Sequence, residues 1–161
     1  MTTLQFRNED ARIVYLATLF HLGRPGSELD PVTLQRHDLG LQAIHDYVLP
    51  RLDQAVVEVE ASPYQVVRLG EALLGCGNEL KQFALSQGNS MVPRFADTVR
   101  ELYPDTADEP AIAMDIVQHP VMLRNRMAQA VAAAQAQIER AVEEEQARRR
   151  AEKRWWQVWK N

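Results

Sequence analysis

The chain has one cysteine, Cys76, among 161 residues. A single thiol excludes an internal disulfide framework and fits a reducing compartment. No apolar run approaches the ~20 residues needed to cross a bilayer. The opening MTTLQFRNEDAR has no basic stretch followed by an apolar one, so it does not read as a secretory signal. Together these absences predict a cytoplasmic protein. Catalytic signatures are missing too. There is no phosphate-binding P-loop, no HExxH, no paired CxxC and no GxSxG. The run GCGNEL from Gly75 resembles the start of a dinucleotide fingerprint. It lacks the third glycine and sits inside a helical pattern rather than between strand and helix, so no cofactor is expected.

What is present is helical periodicity. In Tyr64–Ser86, the residues Val66, Leu69, Leu73, Cys76, Leu80 and Phe83 recur at spacings of three and four. Val67, Leu74 and Ala84 widen the stripe, which predicts a central helix. Ser62 suits its N-cap, Pro63 its first position and Gly88 its stop. Gly70, Gly75 and Gly77 lie inside it, each costing about 1 kcal/mol relative to alanine. A close helix crossing at Gly70 would offset part of that cost.

The rest of the chain follows the same grammar. Thr3–Arg7 alternates like a short strand, with Asn8 as a cap and a helix to about His21 carrying Ile13, Leu16, Ala17 and Phe20 inward. Asp30-Pro31 starts a second helical segment, broken near Gly40, with Leu41, Ile44 and Val48 inside. Val57-Glu58-Val59-Glu60 alternates like a second strand, its glutamates forming the wet face. Residues 3–22 and 56–75 align without gaps at an offset of 53, an expected internal repeat in which Ala17 and Gly70 would meet. Phe95, Val99 and Leu102 share a helical face, as do Ile112 and Ile116. His119-Pro120 is a break signal.

The expected fold is mainly α, a helical bundle with a short two-stranded β ribbon and a long C-terminal helix. Residues 1–120 read as the core and 121–161 as that helix. Its seam of Met127, Val131, Ala134, Ile138 and Ala141 or Val142 gives way to Glu145, Arg148 or Arg149, and Glu152. Residues 147–161 hold six Lys or Arg against one Glu, a net +5, leaving −9 for the remainder of a chain whose total is −4. Trp155, Trp156 and Trp159 end the helix.

Candidate chemistry is sparse. Cys76 lies on the apolar face with no activating neighbour and reads as a buried filler. His37 and His45, with Asp38 and Asp46 beside them, are eight apart and would share a face on a continuous helix. Asp115 and His119 are one turn apart. No Glu-x-x-His pattern or paired cysteine accompanies them, so no metal site is expected. The tail stands out more, because tryptophan and arginine are the residues enriched in binding hot spots. The expected function is a non-enzymatic interaction or assembly subunit. It would contact another protein chain, identical or different, through Arg148, Arg149, Trp155, Trp156 and Trp159. Basic residues interleaved with aromatics also suit an anionic membrane surface or single-stranded nucleic acid. A tail folded back on its own acidic body is the other arrangement weighed. The alternative function is a small helical enzyme or sensor with a site near His37, His45 and Asp46.

Overall fold

The computed structural model describes the backbone of residues 1–159 and the side chains of residues 1–155. Helix makes up 72% of it, in eight α-helices, so the protein is mainly α. The order is β1 (Thr2–Arg7), α1 (Asn8–Gly23), α2 (Pro31–Gln35), α3 (Gln42–Val48), β2 (Val56–Ala61), α4 (Pro63–Leu85), α5 (Phe95–Leu102), α6 (Asp105–Asp108), α7 (Ala113–Arg126) and α8 (Ala128–Trp159). Short 3-10 turns at Leu49–Arg51 and Pro110–Ile112 join α3 to β2 and α6 to α7.

The two strands pair antiparallel, with Leu4 opposite Val59 and Phe6 opposite Val57. Alternation sends Leu4, Phe6, Val57, Val59 and Ala61 into the core and leaves Glu58 and Glu60 exposed. Gln5 donates across the outer face to Glu58 at 2.7 Å, and Thr3 Oγ1 to Glu60 at 2.5 Å. Asn8 does not cap α1. Arg7 holds the cap position, and the Asn8 amide instead donates to the carbonyls of Leu52 and Gln54, closing the end of the ribbon.

Helix α4 is central, flanked by α1, α7 and α8. Ser62 and Gln65 form a reciprocal capping box at its start, with bonds of 3.2 and 2.9 Å. Val66, Leu69, Leu73, Cys76, Leu80 and Phe83 are all buried. The helix ends where Gly88, at φ +83°, donates its N–H to the Phe83 carbonyl at 2.8 Å.

Each glycine of α4 faces a different neighbour. A Cβ on Gly75 would lie 2.3 Å from the Phe20 ring of α1. One on Gly70 would lie 3.2 Å from Val131 of α8, so the close approach there is to α8 and not to Ala17. One on Gly77 would meet the Val117 carbonyl and Pro120 of α7 at 3.7 and 3.9 Å, ordinary contact distances. Helix α7 runs through Pro120 instead of ending there. A mid-helix proline loses one hydrogen bond and crowds the preceding turn, and here the ring is buried against α4. The chain passes from α7 to α8 at Met127.

Candidate functional site

Helix α8 crosses α4 at the Gly70–Val131 contact. Met127 and Ala134 are buried there, and Val131 and Ile138 are half-buried. From Ala141 to Trp155 the side chains are exposed, except for a half-buried Glu145. The described seam is therefore covered only to about Ile138. The backbone continues as helix to Trp159 without turning back on the body. Residues beyond Ile138 extend about 30 Å at 1.5 Å per residue. Strong helix formers and acidic-to-basic neighbours one turn apart sustain the helix where packing stops.

Two of the five predicted contact residues meet on one carboxylate. Arg148 Nη2 donates to Glu145 Oε2 at 2.5 Å, and Arg149 Nε to Glu145 Oε1 at 2.8 Å. The hydrogen bond from Arg149, then the charges of both arginines, holds the Glu145 carboxyl below its ordinary pKa. Trp155 is 67% exposed. The side chains of Trp156 and Trp159 lie outside the described residues. Where α8 leaves the body, Tyr64, Ala141, Val142, Glu145, Gln146 and Arg149 line a cleft of about 350 Å³.

The residues of the alternative reading lie on different segments. His37 and His45 do not share a helix, because α2 ends at Gln35 and α3 begins at Gln42. The carbonyls in between serve the α4 capping box. Gln65 Nε2 donates to the carbonyls of His37 at 2.9 Å and Gly40 at 3.0 Å, and Ser62 Oγ to that of Asp38. The His45 ring stacks on Tyr15 at 4.8 Å, with Nδ1 2.9 Å from Thr18 Oγ1. That hydroxyl already donates to the Tyr15 carbonyl, so His45 is the donor and carries its proton on Nδ1. Asp46 accepts from Gln42 at 2.8 Å on the surface. Among the described residues no three His, Cys, Asp or Glu side chains converge as a metal site. Cys76 is fully buried, and burial, followed by the charge of Glu79, raises its thiol pKa. Such a thiol is a poor nucleophile.

Two polar clusters gave no sequence signal. His119 pairs with Asp10 of α1 at 3.2 Å rather than with Asp115, and Arg126 joins the same carboxylate. In the loop after α1, Arg24 donates to His21 Nδ1 at 3.0 Å. A guanidinium only donates, so His21 carries its proton on Nε2, which lies 3.5 Å from Glu28. Glu28, at φ +52°, accepts from the Leu41 N–H at the start of α3. His21 Nδ1 is taken by Arg24, and Nε2 faces Glu28 without a hydrogen bond. These clusters tie elements together.

No family model, no curated protein and no solved structure matches this chain.

Proposed function

We propose that this protein is a non-enzymatic interaction or assembly subunit whose contact element is the distal half of α8. The observation carrying this reading is that, among the described side chains of a 32-residue helix, the body covers the seam only to about Ile138. Ordering a long exposed helical end gains little for the isolated chain, since entropy opposes order without contacts. The tryptophans supply area for a hot spot, and the arginines steer association toward acidic surfaces. The dispersed His37, His45 and Asp46 give no competing reason to favour catalysis.

Affinity capture from the native cell tests the reading, using the intact protein beside a Trp155→Ala, Trp156→Ala, Trp159→Ala variant. Loss of specifically captured protein in the variant is expected. Equal capture by both forms would sink the reading. Capture of lipid vesicles or single-stranded nucleic acid instead would replace the protein partner with an anionic one.

A further inference from the structure

The order of charges along α8 names a partner, and this inference rests on α8 being the contact element. Glu143-Glu144-Glu145-Gln146-Ala147-Arg148-Arg149-Arg150 is its own charge complement when reversed. We propose that the partner is a second copy of this chain, its α8 lying antiparallel about a two-fold axis between Gln146 and Ala147. In that register the acidic run 143–145 of each copy lies level with the basic run 148–150 of the other. Parallel pairing in register would set like charge against like at each of these positions. A two-fold contact of this kind closes on itself.

The same register orders the seam. With spacings of four and three, Ile138 meets Trp155, Ala141 meets Glu152 and Glu145 meets Arg148, and the layers recur beyond the axis. Ala134 is already buried on α4 and Ile138 is half-buried, so the shared layers stop at Ile138. The cleft beside Tyr64 and Val142 opens on this part of α8. An antiparallel partner brings its residues 151–155 to that cleft. Val142 is 45% exposed and Tyr64 36%, which leaves apolar surface for a tryptophan to cover. Glu145 must exchange its arginines within the helix for one across the axis. Exposed ion pairs of this kind hold weakly, so the exchange costs little.

The test is sedimentation equilibrium on full-length proteins at low and high salt. One variant carries Glu143→Lys, Glu144→Lys and Glu145→Lys, and the other carries Arg148→Glu, Arg149→Glu and Arg150→Glu. Wild type should dimerise at low salt and dissociate as salt rises. Each variant alone should associate at least about tenfold more weakly. An equimolar mixture should restore the dimer as a heterodimer, because lysines of one copy then face glutamates of the other. Repulsion within each variant helix persists in the mixture, so only contact between chains explains a rescue. Circular dichroism checks that each variant remains helical. A monomeric wild type, a dimer indifferent to charge reversal, or no rescue on mixing overturns the proposal. A monomer that still captures a different protein through α8 leaves the contact-element reading standing, whereas one that captures nothing removes both.

Discussion

The α1–α4 pair and the distal half of α8 are both helical, but different physics holds them. Helix α1 is buried from Asp10 to His21 except at Arg12, so its order comes from burial on nearly every side. The described side chains in the distal half of α8 bury almost nothing, and its order comes from propensity and from pairs such as Glu145 with Arg148 and Arg149. Such pairs contribute only a few tenths of a kcal/mol each on a helix surface. Most helical stability in proteins comes from tertiary packing. The contrast locates stability in the body and availability for contact in α8.

The largest effect should come from emptying the packed side of this comparison. Leu73 is fully buried on α4, and Leu73→Ala should cost about 2–5 kcal/mol. Urea unfolding measures it, and a loss below about 1 kcal/mol would remove α4 from the centre of the core. Next come the glycines. Gly75→Ala drives a methyl group to 2.3 Å from the Phe20 ring, and the crowding should destabilise by about 1–3 kcal/mol. Gly77→Ala meets only ordinary contacts and should instead stabilise by up to about 1 kcal/mol through helix propensity. Thermal unfolding of the two variants should show shifts of opposite sign. Equal signs would mean that the α1–α4 and α4–α7 contacts do not differ in tightness.

Acidity probes the same packed side more gently. Burial, followed by the Arg24 guanidinium, lowers the His21 pKa from 6.5, and burial lowers that of His45 likewise. The unfolded chain therefore binds more protons than the folded one just below the ordinary histidine pKa. These histidines contribute stability that is complete above 6.5, declines as pH falls through that value, and levels off below their folded pKa values. The urea midpoint should fall between about pH 7.5 and about pH 5, and His21→Gln with His45→Gln should flatten that fall. An unchanged slope in the double variant would assign the acid sensitivity to other groups. The smallest effect belongs to the other side of the comparison. Deleting residues 147–161 should change the stability of the body by no more than about 0.5 kcal/mol. A truncated chain that fails to unfold cooperatively would make α8 part of the core.

Much of the fold was legible because its determinants are local. The stripe from Val66 to Phe83, the Ser62 cap and the alternation of Val57 with Glu58 act within a turn or a pleat, and each appears where expected. The tail was legible for the same reason, since a seam that turns charged after Val142 announces an unpacked helix. His37 and His45 fall on either side of the break expected near Gly40. Periodicity cannot reveal that Gln65, 25 residues from Gly40, takes the loop carbonyls between them.

The sequence by itself determined the helical and strand segments, the ends of α4 and the change in α8 from seam to charge. Hydrophobic period and capping depend on neighbours no more than about one turn away. Only the tertiary structure decided which surfaces meet. It put Gly70 under Val131 rather than beside Ala17, Gly75 against Phe20, and His119 and Arg126 on Asp10, 109 and 116 residues distant. It also carried α7 through Pro120, whose ring is buried against α4 near Gly77. Contacts between residues so far apart depend on how whole helices pack against one another, and interior packing tolerates few voids or overlaps.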